Sequence, residues 1–145
     1  MADLSFSTIQ TRLETVVETV SGLTRSLRPL DPTMDPGALQ DKRYAVELAT
    51  TNTGQYRDKD NTRIRVRHDA VVRFLRRLPP KQQNVRYAAA LNDELLIIQA
   101  FSDQVSAWQQ DVRVTYEASD REVLPDGEWL LISISFELHH DLDLS

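Results

Sequence analysis

The chain has 145 residues, 41% of them apolar, and a net charge of −5 from 17 basic and 22 acidic side chains. That length fits a single domain over residues 1–145 with one core, and no run nears the ~20 apolar residues a membrane span needs. With no cysteine there is no disulfide framework, no thiolate metal site and no thiol nucleophile.

The charges are unevenly placed. Residues 56–77 hold eight bases (Arg57, Lys59, Arg63, Arg65, Arg67, Arg73, Arg76, Arg77) against three acids (Asp58, Asp60, Asp69). From Asp93 onward, twelve acids face only Arg113 and Arg121. A free nucleic-acid binder with so negative a remainder would repel phosphate over most of its surface. The first ten residues, MADLSFSTIQ, lack the basic start and apolar stretch of a secretory signal, so the expectation is a reducing cytosol.

In chain order, Ile9, Leu13, Val16, Val17 and Val20 recur at helical spacing, with Ser7 and Gln10 spaced as a capping box and Gly22 placed to end the helix. Pro29, Pro32, Pro36 and Gly37 punctuate the next stretch too heavily for a regular element, which predicts an extended loop wrapping the domain. "KRYAVELAT", residues 42–50, alternates as a half-buried strand. "TNTGQYRDKDN", residues 51–61, has no apolar rhythm and predicts a long loop between antiparallel strands.

The following strand puts Ile64, Val66, His68, Ala70, Val72 and Phe74 on one face and Arg63, Arg65, Arg67, Asp69, Val71 and Arg73 on the other. Pro79 and Pro80 stop it. The helical segment after them is expected to divide at Asn92 and Asp93, with Asp93 capping an apolar second half. "VRVTYEAS" alternates as a strand, "LPDGE" has hairpin-turn chemistry, and "EWLLISISFELHH" alternates Leu130, Ile132, Ile134, Phe136 and Leu138 with a more polar face. The expected fold is α+β: an antiparallel sheet of about four strands, with an N-terminal helix and a central helical segment packed on one face.

No phosphate loop, zinc-helix motif or nucleophile elbow occurs, so no catalytic, cofactor or metal residue is assigned and the chain is not expected to be an enzyme. His139 and His140, adjacent on a strand, point to opposite faces and could not share an ion. His68, on an apolar face, suits a hydrogen-bonded core or interface histidine. Three readings of the arginine strip stay open: a nucleic-acid surface, a solvated sheet face, and a subunit interface. In the third, Arg63, Arg65, Arg67 and Arg73 would fork onto carboxylates of a neighbouring copy. The partners would be Asp120, Glu122, Asp126, Glu128, Asp141 and Asp143.

Several segments, in order and spacing, resemble the tail terminator proteins of long-tailed bacteriophages: "RYAVEL", "GQYRDKDNTRIRVRHDAVVRFLRRLPPKQQ", "AALNDELLIIQA" and "VTYEASDREVLPDGEWLLISISFELHHDL". The resemblance spans roughly residues 42–144. It implies a structural protein, a homo-oligomeric ring, hexameric in the family, capping the head-proximal end of the tail tube in the virion neck after assembly in the bacterial cytoplasm. The implied partners are further copies, the tail tube protein and the head connector or stopper, with DNA only passing through the lumen. Gly54, Gln55, Tyr56, Arg57, Asp58, Lys59 and Asp60 would form a loop touching tube or connector. A head-closure stopper of the same neck, or a module binding nucleic acid through the Arg-rich strand, are the alternatives.

Overall fold

The apolar positions of the first segment form a 13-residue helix, α1 (Phe6–Glu18), burying Ile9, Leu13, Val16 and Val17. Its cap is Ser5, not Ser7: the Ser5 hydroxyl accepts from the Thr8 N–H at 3.2 Å. Gln10 does not reach back to close a capping box. Its amide instead donates to the Val46 carbonyl at 2.6 Å, tying helix to sheet. The helix closes at Thr19, ahead of Gly22, whose φ of +87° is the left-handed turn that glycine adopts without strain.

The structure, a computed structural model, describes residues 5–20, 22–26, 30, 39–57, 63–108, 112–124 and 127–143. Within these it is α+β, with five strands rather than four: β1 (Thr24–Arg25), β2 (Arg43–Arg57), β3 (Arg63–Arg77), β4 (Val112–Val123) and β5 (Trp129–Asp143). The spatial order is β1-β2-β3-β5-β4. The extra strand is the two-residue β1, which pairs in parallel with Arg43 and Tyr44 from a stretch read as loop. The remaining pairs are antiparallel.

The other departure is β2, which runs to Arg57 instead of stopping at Thr50. Its second half holds by backbone pairing to β3, with Thr51 opposite His68 and Asn52 opposite Arg67, after a register shift between Leu48 and Thr50. Polar side chains leave such a ladder intact because the main chain makes it. Gly54, Gln55, Tyr56 and Arg57 therefore belong to a strand, and Asp58, Lys59 and Asp60 lie outside the described residues.

The segment after Pro80 is one helix, α2 (Gln83–Trp108), with no break at Asn92. No proline or glycine lies within it, and the Asp93 carboxylate, expected to cap a helix start, is held by the guanidinium of Arg76. Both helices pack on one face of the sheet, where Ala90, Ile97 and Phe101 of α2 join the α1 stripe over Tyr44, Val46, Ala70, Val72, Phe74, Leu130, Ile132, Ile134, Phe136 and Leu138. Phe101 and Phe136 lie 4.4 Å apart between ring centroids; a buried phenylalanine of this kind contributes about 3–5 kcal/mol over alanine. The Tyr44 hydroxyl, fully buried, donates to Glu18 at 2.7 Å. Its pKa is pushed above the ordinary phenol range by burial first and by the neighbouring Glu18 second.

One end of the opposite face carries a smaller cluster, Leu30, Leu39, Leu75, Leu124, Trp129 and Leu131. Leu30 comes from the proline-punctuated stretch and Leu39 follows it; Pro29, Pro32, Pro36 and Gly37, on which the expected wrapping loop rests, lie outside the described residues. Gly127, at φ +76°, supplies the left-handed residue of the turn between β4 and β5. Among the described residues no helix is long and apolar enough to cross a membrane.

Candidate functional site

The helix-free face of the sheet collects the arginine strip. Strand parity places Arg65, Arg67 and Arg73 there as expected, half-buried. Each faces a carboxylate of its own chain. Arg65 reaches Asp141 on β5 at 3.3 Å, and Arg73 reaches Glu47 on β2 at 2.8 Å. Arg67 lies 3.4 Å from Asp69 and 3.9 Å from Glu137. Arg63 stands in register with Asp143, though the side chains of both lie outside the described residues. The strip is thus a row of ion pairs within the chain, cross-strand except for Arg67 with Asp69, and the pairs of Arg65 and Arg73 are each worth a few tenths of a kcal/mol to about 1 kcal/mol at such exposure.

The carboxylates named for an intersubunit contact are placed unequally. Asp141 is engaged by Arg65 within the chain. Asp120 and Glu122 lie exposed on β4, in register with Ser133 and Leu131, so they share the helix-free face with the strip. Among the described residues no ion pair engages either. Glu128 is half-buried beside the turn, and Asp126 lies outside the described residues. On the same face Glu137 accepts a hydrogen bond from His139 at 2.5 Å. Glu117 faces Glu137, and their mutual hydrogen bond holds the Glu117 carboxyl above the usual range and Glu137 below it.

Three groupings escaped the sequence. Glu47 and Glu137 partner the strip, and only the register across three strands brings them there. Arg76, counted with the basic block, faces the helices at 5% exposure and holds Asp93 of α2 together with Asp41. Arg121 of β4 forks onto Glu94 of α2 through two hydrogen bonds of 2.7 Å, the bidentate geometry that sets arginine apart from lysine. Parity along β3 could have placed Arg76 on the helix side, but along β4 it points Arg121 to the wrong face, because the register shift between Tyr116 and Ala118 inverts the alternation there.

His139 and His140 do point to opposite faces. His140 is buried on the helix side, where it meets His68. Among the described residues no group of three or more histidines and carboxylates is arranged to hold a metal ion.

Among the described residues the sheet ends in two edges that no further strand pairs along most of their length. β4 is an outer strand of 12 residues, and β1 covers β2 only at Arg43 and Tyr44. Because β2, β3, β5 and β4 alternate in direction, the two edges run in opposite senses. Beside the β4 edge, Tyr116 and Val123 are exposed, as is Leu95 of α2.

No protein-family model matches the chain, and no curated protein matches it.

Proposed function

We propose that this chain is a tail terminator of a long-tailed bacteriophage: copies of it close into a ring on the head-proximal end of the tail tube, stop tube growth and present a surface to the head connector. The observation that supports the reading is the pair of long edges, unpaired for most of their length among the described residues and running in opposite senses. If β4 of one copy pairs with β2 of the next, the contact is antiparallel and continues the sheet's own alternation. Such a contact is heterologous, and it closes into a ring when the rotation per copy allows. It also removes the hazard of exposed strand edges.

A ring built this way turns its helices outward, since they occupy more width than the bare face, and leaves the arginine strip toward the hole. Of the three sequence readings of the strip, the subunit interface would instead turn it toward a neighbouring copy. Neutralisation by Glu47, Asp69, Glu137 and Asp141 makes the lumen position tenable, because arginines already holding carboxylates grip passing phosphate weakly. The same pairing weighs against a nucleic-acid module. The two packed helices favour a terminator over a stopper, whose folds are usually closer to β-barrels.

Tube polymerisation in the presence of the purified chain tests the reading. The wild type should arrest growth at one end. Asp120→Lys with Glu122→Lys, two exposed changes on β4, should weaken arrest at least tenfold with an unchanged circular dichroism spectrum. Tubes that lengthen equally with and without the wild-type chain contradict the function, and equal arrest by the variant contradicts the role of the edge.

A further inference from the structure

Two histidines meet beneath the first turn of α1. His68 of β3 and His140 of β5 are both fully buried, their rings nearly parallel at 4.9 Å between centroids. The two Nε2 atoms lie 2.7 Å apart. Phe6 sets its edge against both rings, at 4.8 and 6.3 Å. Each Nδ1 has one further partner: the Asp141 carbonyl at 3.1 Å for His140, and the Thr51 hydroxyl at 2.8 Å for His68.

These contacts fix the protons. A carbonyl oxygen only accepts, so His140 donates through Nδ1–H and its Nε2 is a lone pair. His68 must then donate through Nε2–H, which leaves its Nδ1 to accept from the Thr51 hydroxyl. Both rings are neutral, in opposite tautomers, and all four ring nitrogens are used.

A proton added to this chain reverses it. Once His140 carries a proton on Nε2, His68 must shift its own from Nε2 to Nδ1, and Thr51 must change from donor to acceptor. A second proton sets N–H against N–H with no acceptor between them. Among the described residues, the charges that reach the pair are Asp69 of β3 and Asp141 of β5, which favour protonation, and Arg65 of β3, which opposes it at His140. From the other elements come Phe6 of α1, Thr51 of β2 and Val112 of β4, none of them charged. Burial outweighs the carboxylates. It is the first cause holding both rings below the ordinary histidine value, His68 at about 4.

We propose that the His68–His140 pair is a latch that acid opens, freeing the first turn of α1 and the outer half of β2 while the remaining core stays folded. Release is local because Phe6 begins α1, and Thr51 lies just past the register shift in β2 on a stretch held by main-chain pairing to β3, with the Thr51 and Asn52 side chains exposed rather than packed in the core. The sign follows from linkage. The released histidines titrate near 6.5 and the latched ones lower, so the open form binds more protons between about 6.5 and about 4. Across that window, each proton taken up raises the open-to-latched ratio by up to about tenfold per pH unit. The latch does not depend on the ring reading.

Imidazole nitrogen spectra and amide hydrogen exchange of the wild-type protein test it together. At pH 7.5 the spectra should show His68 as the Nε2–H tautomer and His140 as Nδ1–H, both neutral. From pH 7 to pH 5, opening at the Ile9 amide, which donates to Ser5, should rise at least tenfold relative to Ile132 in the central strand, after correction for intrinsic exchange. A charged ring at pH 7.5, two identical tautomers, or an unchanged Ile9 to Ile132 ratio overturns the proposal. So does His68→Gln with His140→Gln, if that variant folds and keeps the pH step. If it does not fold, the wild-type spectra and exchange still decide.

Discussion

Arg76 sits on the helix face of β3, 5% exposed, with its guanidinium between Asp93 of α2 and Asp41 ahead of β2. Asp41 also accepts the Arg77 backbone N–H at 2.9 Å, so one carboxylate serves both residues. Removing one partner of a buried pair strands the other's charge, which costs about 3–5 kcal/mol, whereas replacing both by apolar groups is often neutral. Arg76→Ala is expected to lose about 3 kcal/mol in urea unfolding, and Arg76→Met with Asp93→Leu to recover most of that loss. At this scale the sequence was legible through parity. It put Arg65, Arg67 and Arg73 on one face and His68 on the other, and it separated His139 from His140. It could not pair His68 with His140, because the register that places Val66 opposite His140 is set by backbone pairing between segments some seventy residues apart.

Apolar rhythm revealed those elements whose stability comes from burial. α1, β3 and β5 each bury a periodic face, and each lies close to its expected bounds. The outer half of β2 has no such face and is held by main-chain bonds to β3, so its polar residues gave no sign of a strand. At α2 the local signal misled: Asn92 and Asp93 favour helix starts, yet the buried stripe of Ala90, Ile97 and Phe101 carries the helix through them. Asn92 is exposed inside that helix. Asn92→Ala should therefore raise stability by about 0.5 kcal/mol, the difference in helix propensity. Urea midpoints that stay level or fall would favour two helices with a boundary at that point.

For the whole molecule, the uneven charge first suggested a basic block and an acidic block meeting between copies. Within one chain they already meet across β3 and β5, where Arg65 and Arg67 face Asp141 and Glu137. The proposed ring therefore rests on the two strand edges, with Asp120 and Glu122 exposed on one of them. Strand edges are set by topology, which periodicity alone does not reveal. Native mass measurement of the purified chain, alone and mixed with tail tube protein of the same phage, tests the central claim most directly. Six copies of a 16.6 kDa chain predict a closed species of about 100 kDa, formed alone or on the tube. A chain that stays at 16.6 kDa in both conditions, or forms an open series of sizes, would contradict the account.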